Sequence, residues 1–374
     1  MISERAMRVD SSGIRKVFEL AAKIENPVDF SIGQPDFDVP DNLKDAAIEA
    51  IKKGLNRYTL TQGIGELREK IISHIESTRG KKFASNEIII TSGTSGALML
   101  ALMSIIDPGD EVVFFDPYFV MYKHLIRLID GKPVIVSTYP DFRINEKKLR
   151  EAVGPRTKAI IINSPTNPTG FVYDRKDIDI VVKIAREKNI LLISDEIYDG
   201  FVYDEPFVSP ASFYDNVLIL GGFSKTYAMT GWRVGYAAGP AELISTMIKL
   251  QQYTFVCSPA PFQYAAVAAL GTDMSEFRES YSRKRDIIYN GLKDSFDIVK
   301  PAGAFYMFPE LKRGSVTEFV EIAIQNKVLI IPGNVFSEEN TNFRLCFATK
   351  DETLKRGIDI LTGLAALYYK KAGK

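Results

Sequence analysis

The 374-residue sequence holds only two cysteines, Cys257 and Cys346, and two histidines, His74 and His124. The cysteines are distant and lack C-x-x-C spacing, which excludes a disulfide framework or a cysteine zinc site and fits a reducing cytoplasm. Two histidines cannot build a histidine-rich metal site. Neither sign of charge is in excess, because 47 basic side chains face 47 acidic ones. Nothing in that balance draws the chain to phosphate backbones or anionic lipid, so no nucleic-acid or membrane partner is expected. No apolar run approaches the roughly 20 residues of a membrane span. The start, MISERAMRVD, is charged and lacks the apolar stretch of a signal peptide. A cytoplasmic protein is expected.

What is present is an ordinary globular composition, 46% hydrophobic and 25% charged, enough for a large core. At roughly 150 residues per domain the length predicts two or three domains. The middle of the chain alternates short apolar runs with helical patterns. The runs are 87–90, 111–116, 132–137, 158–163, 190–195, 217–222 and 233–239, each rich in Val or Ile and closed by turn residues. Continuous apolarity predicts strands covered on both faces, as in a mostly parallel sheet. Amphipathic segments such as 175–189 fit crossover helices, and the repetition predicts a doubly wound α/β domain. Further on, Phe277, Tyr281, Ile288, Leu292 and Phe296 form one stripe of a long helix. Strand-like FYMFP (305–309), VLIIPG (328–333) and NFRLCFA (342–348) follow, then a closing helix with Leu354, Ile358, Leu361, Ala365 and Tyr368 on one face. These predict a smaller α/β domain. The expected division is a large domain over 41–285, with a small one formed by the N-terminal arm, 1–40, and by 286–374.

Ligands of open α/β sheets bind beyond the carboxyl ends of the strands. The informative segments are therefore TSGTSGA (91–97), DPYF (116–119), NSPTNPTG (163–170), SDEIY (194–198) and GGFSKTYAMTGWR (221–233). In TSGTSGA a strand, a Gly/Ser/Thr loop and a helix beginning at Ala97 would make an anion site, although an ordinary tight turn with an N-cap reads the same way. Gly93, Gly96 and Asp116 also allow a nicotinamide-dinucleotide reading, but Thr91 stands where its first glycine belongs. A nucleoside-triphosphatase reading from ILLISDE and SKT lacks its glycines, having Ile219 and Ser224 instead. Taken singly, Asp195 and Lys225 read as solvated rim residues or a structural ion pair. Together with a phosphate loop they meet three needs of pyridoxal 5′-phosphate: a lysine for the Schiff base, an acid for the pyridinium nitrogen and a phosphate cradle.

These motifs, with SIGQPDF (31–37), NRYT (56–59) and NFRLCFA, resemble the fold-type I, class I/II aminotransferases, in the branch of aspartate and aromatic aminotransferases. The likeness runs in order along nearly the whole chain. It implies a PLP fold type I α/β architecture, a large domain whose mostly parallel seven-stranded sheet lies between helices, and a homodimer with active sites at the subunit interface. Lys225 would hold the cofactor aldehyde and, once released, shuttle a proton between substrate Cα and cofactor C4′. Asp195 would keep the pyridine nitrogen protonated, while Tyr198 and Asn167 would hold the ring O3′. Phe119 would stack on the ring. The phosphate would be held by Gly93, Thr94, Ser95, Ser224 and Arg233, and by Tyr58 from the neighbouring subunit. Arg344 would take the substrate α-carboxylate in a bidentate fork, and Gly33 lies in a loop folded over the substrate.

Three positions depart from the pattern. Thr254 stands where many aspartate-selective members carry an arginine, Ser95 where another branch has a lysine, and Gly222 where some relatives have a serine. A second carboxylate would need another group, such as Arg15, or the preferred side chain is aromatic or small. The expected activity is ping-pong exchange of an amino group between an L-amino acid, whether aspartate, aromatic or alanine-like, and 2-oxoglutarate. Rivals are a carbon–sulfur β-lyase on the same fold, a nicotinamide-dependent oxidoreductase and a non-catalytic regulatory module.

Overall fold

The computed structural model describes residues 1–9, 13 and 24–372. After a short β1 (Val28–Asp29), seven strands build the central sheet: β2 (Ile88–Ser92), β3 (Glu111–Asp116), β4 (Lys132–Ser137), β5 (Thr157–Asn163), β6 (Leu191–Asp195), β7 (Val217–Gly222) and β8 (Val234–Ala238). Each predicted apolar run forms one of them. Their order is β2-β8-β7-β6-β5-β3-β4. Alternate residues serve opposite cores, which is why the runs are continuously apolar. Ile89, Phe114, Ile161, Ile193 and Leu220 meet helices Gly93–Ile105, Met121–Leu128 and Ala241–Thr254. Ile88, Val113, Ile160, Leu192 and Ile219 meet helices Asp41–Lys52, Gly65–Arg79, Arg175–Lys188 and Ala260–Ala269.

All neighbours pair in parallel except β8, which is antiparallel to both β2 and β7. The connection before it, residues 223–233, contains no helix. A parallel crossover needs a dozen or more residues, usually including a helix, so this chain turns back instead. That return brings Arg233 to the edge where the other strands end.

A third core gathers Val28, Phe30, Ile288, Phe296, Phe319, Leu345 and Leu361. It packs helices Ser275–Leu292, Val316–Gln325 and Asp351–Ala372 around short strands. The predicted stripe ends early, since Phe296 is buried beyond the end of its helix. The segment VLIIPG is not one strand. β10 (Val328–Leu329) pairs in parallel with β1, whereas β11 (Ile331–Pro332) joins β12 (Phe343–Cys346) and β9 (Tyr306–Met307) in an antiparallel sheet. Two different partners compete for adjacent residues, and Ile330 is the break. Among the described residues no helix is long and apolar enough to cross a membrane.

Candidate active site

The carboxyl ends of the strands converge on a cavity of about 280 Å³. Asn163 and Asp195, the last residues of β5 and β6, are register partners, so their side chains arrive together. Of the predicted residues, Gly33, Thr94, Ser95, Phe119, Asn167, Asp195, Tyr198, Ser224, Lys225, Arg233 and Arg344 all line this cavity. Gly93 lies behind Arg233, and Tyr58 lies outside the cavity with 84% of its surface exposed.

The helix after β2 begins at Gly93, four residues before the predicted start, and no side chain caps it. Thr94 and Ser95 therefore sit in its first turn, whose amides have no intrahelical acceptor. Gly93 has φ +68°, and a Cβ there would lie 2.5 Å from an Arg233 terminal nitrogen. Only glycine lets the guanidinium come this close to the helix start. The helix dipole and Arg233 together form an anion cradle. Arg233 is steadied by bonds to the Thr230 carbonyl at 3.0 Å and the Ser92 carbonyl at 3.5 Å. Gly222 is crowded, since a Cβ would meet Thr94 Oγ1 at 3.0 Å.

Asp195 is buried, and desolvation lifts its carboxyl to about 6 against the opposing hydrogen bond from Tyr122. Tyr122 Oη donates to Asp195 Oδ2 at 2.6 Å. Tyr122 was not predicted. The only hint was its place three residues after Phe119, whose ring meets it edge-on at 5.8 Å. Asn163 orders the same corner, donating to the Asp195 carbonyl at 2.9 Å and accepting from the Asn167 amide at 2.9 Å.

Lys225 Nζ donates to the Gly33 carbonyl at 2.7 Å. Burial lowers its ammonium to about 8, and the charges of Arg344 and Arg233 push the same way. At neutral pH a modest further perturbation suffices to free the amine as a base or nucleophile. Tyr198 and Tyr306 share a hydrogen bond at 2.8 Å, and burial raises both hydroxyls.

Arg344, on β12, is 1% exposed. Its guanidinium lies between the rings of Tyr306 and Phe336, at 4.7 and 4.5 Å from their centres. It donates to Asn167 Oδ1 at 3.1 Å and to the Ser31 carbonyl at 2.8 Å, while its buried Nε has no partner among the described residues. An unmatched buried donor costs about 1–3 kcal/mol, so this fork is suited to a carboxylate.

The remaining predicted positions bear on the rivals and the departures. Asp116, the acid of the dinucleotide reading, does not line the cavity; its Oδ2 accepts from the Glu338 amide at 3.1 Å. That carboxylate is buried away from the cavity and is not placed to hold a ribose there. Thr254 Oγ1 donates back to the Leu250 carbonyl at 3.1 Å, and Arg15 lies outside the described residues.

The profile of the family described as aminotransferase class I and II matches residues 25–361. A probable aspartate aminotransferase of Methanocaldococcus jannaschii is 41% identical over 372 residues, covering 96% of this chain and 99% of that one. An aromatic-amino-acid aminotransferase of Thermococcus litoralis is 37% identical, with 96% of each chain covered. The structure of a Thermus thermophilus aspartate aminotransferase with maleate superposes with a TM-score of 0.94 at 32% identity, covering 97% of this chain and 99% of that one. With this match of profile, sequence and three-dimensional fold along nearly its whole length, the chain belongs to the class I and II aminotransferases and is a transaminase.

Proposed function

We propose that this transaminase uses pyridoxal 5′-phosphate to move an amino group from an L-amino acid, of aspartate, aromatic or alanine-like type, to 2-oxoglutarate in two half-reactions. The observation that carries the reading is one cavity lined by Lys225 and Asp195, with an anion cradle at Arg233 and an incompletely satisfied carboxylate fork at Arg344. The residues fit the cofactor. A lysine of lowered pKa, a buried carboxylate and a helix start reinforced by arginine answer its aldehyde, ring nitrogen and phosphate. When bound, the cofactor supplies an electrophilic aldehyde and a protonated ring that accepts electron density from the substrate Cα.

The chain's own residues do the rest. Lys225 Nζ would be the base that accepts the substrate Cα proton and delivers it to the cofactor side. Asp195, held by Tyr122, would keep the ring nitrogen protonated. Tyr198 and Asn167 would hold O3′, Phe119 would cover the ring, and Thr94, Ser95, Ser224 and Arg233 would hold the phosphate. Arg344 would take the α-carboxylate and so fix the orientation of the substrate in the cavity it shares with Lys225. Tyr58 serves the phosphate of a partner subunit in a homodimer, which places the two active sites at the interface. The division into a large domain, 41–285, and a small domain, 1–40 with 286–374, and a cytoplasmic setting belong to the same proposal.

The test is incubation of the cofactor-loaded protein with amino donors. Multiple-turnover glutamate formation with 2-oxoglutarate, and a single turnover without it, is the expected result. Catalytic release of pyruvate and ammonia without an acceptor would show a β-lyase instead.

A further inference from the structure

Residues 31–37 turn their main chain toward the cations of the cavity. Arg344 donates to the Ser31 carbonyl at 2.8 Å and Lys225 to the Gly33 carbonyl at 2.7 Å. Gly33 has no room for more, since a Cβ would lie 2.3 Å from Tyr306 Oη. Carbonyls are neutral acceptors, so they orient both cations while leaving their charge for a ligand.

One helix holds this segment from outside. Phe277, Tyr281 and Lys284 follow at i, i+4 and i+7 in Ser275–Leu292 and share a face. The ring of Phe277 stacks on Phe37 at 3.9 Å. Tyr281 Oη donates to Asp36 Oδ1 at 2.9 Å and accepts from the Asp36 amide at 3.1 Å. Lys284 Nζ pairs with Asp36 Oδ2. With side-chain exposures of 9% for Lys284 and 21% for Asp36, this pair is screened far less than a surface one. Tyr281 also packs on Phe305 at 5.6 Å, and Phe305 on Tyr198 at 5.4 Å, so the same helix backs the wall of the site.

We propose that Asp36 is a positioning residue for transamination. Held by Lys284 and Tyr281, it keeps residues 31–37 against the long helix, with the Gly33 carbonyl on Lys225 and the Ser31 carbonyl on Arg344. The segment then covers the bound amino acid. Asp36 does not line the cavity, and its influence passes through the backbone of Gly33. The catalytic part rests on the aminotransferase reading; the anchoring part rests on the contacts alone.

The test compares Asp36→Asn, Lys284→Met, Lys284→Arg and the double variant Asp36→Asn/Lys284→Met. In the protein without cofactor, amide exchange of Gly33, Gln34, Asp36 and Phe37 is expected to speed up about tenfold in Asp36→Asn and Lys284→Met, with global melting little changed. Lys284→Arg, which keeps the charge, restores slow exchange. In the loaded enzyme the amino-donor KM rises about tenfold while kcat stays within about twofold, and the double variant matches the singles because both remove one pair. Unchanged exchange and unchanged KM in Asp36→Asn overturn the proposal, as do effects that add in the double variant. Should Lys284→Met not fold, Tyr281→Phe removes only a hydroxyl and is read in the same direction. If the unaltered protein turns over no amino donor, the activity reading fails, while the exchange data still decide whether Asp36 anchors the segment.

Discussion

Replacing Tyr122 by Phe removes one hydroxyl from a buried carboxylate and leaves the ring in place. Tyr122 Oη lies 2.6 Å from Asp195 Oδ2, and hydrogen bonds to charged groups contribute about 1.5–3 kcal/mol. At 1.36 kcal/mol per pH unit, losing about 2 kcal/mol moves the titration of Asp195 up by about 1.5 pH units. The carboxyl, already raised to about 6 by burial, would then titrate at about 7.5. The ionised fraction at pH 6.5 falls from about three-quarters to about one-tenth, an eightfold change; at pH 8.5 both forms are almost fully ionised. Pyridoxal phosphate, titrated by absorbance, is therefore expected to bind about eightfold more weakly to Tyr122→Phe at pH 6.5 and nearly normally at pH 8.5. A Kd ratio that is flat from pH 6.5 to 8.5 would refute the claim that Tyr122 acts by keeping Asp195 charged.

Three further outcomes are expected. Lys225→Ala loses at least about 10²–10⁴-fold in amino-donor turnover, because the proton-transfer group is gone, and added small amines restore part of it; near-normal kcat in the variant contradicts the assignment. Arg344→Lys gives up the planar fork and about 1.5–3 kcal/mol of charge-assisted bonding, so the amino-donor KM rises about 10–100-fold while cofactor Kd stays put. Stability of the unloaded protein depends on pH in two windows. Asp195 and Asp116, both lifted to about 6 from 3.8, keep protons that the unfolded chain has lost, so stability falls as pH rises from about 4 to 6. Lys225, lowered to about 8 from 10.5, has lost a proton that the unfolded chain keeps, so its contribution raises stability between those values, opposed from about 9 upward by the Cys346 thiol, which burial raises to about 11. Melting curves across pH check both contributions, and Lys225→Met must remove the stabilising one in the upper window.

The seven strands were legible because burial on both faces writes a continuous apolar run, and a turn residue closes each one. The direction of β8 was not, since hydropathy carries no direction; it depends on the helix-free connection 223–233. VLIIPG hid its break because Ile330 is as apolar as its neighbours, and only the competing partners β1 and β12 divide the run. The start of the helix at Gly93 was hidden by composition. Gly, Thr and Ser have low helix propensity, and packing against the sheet overrides that preference.

The same contrast separates the two kinds of residue at the site. Lys225, Asp195 and Arg233 stand out in the sequence because a charge beside an apolar run demands a reason, whereas Arg344, inside its strand, was marked only by the family resemblance. Asp116 met that criterion equally well, and its spacing from Gly93 suited a ribose acid. Its side chain instead takes the amide of Glu338, a residue 222 positions away. Linear spacing thus ranks charged residues without saying what they face. Tyr122 and Tyr281 fail the criterion altogether, since a tyrosine in an amphipathic helix is ordinary core. Their importance lies in one hydroxyl each, aimed at Asp195 and at Asp36. Such a hydroxyl changes neither periodicity nor charge, so the groups that hold the charged residues in place become visible only when distant segments are seen in contact.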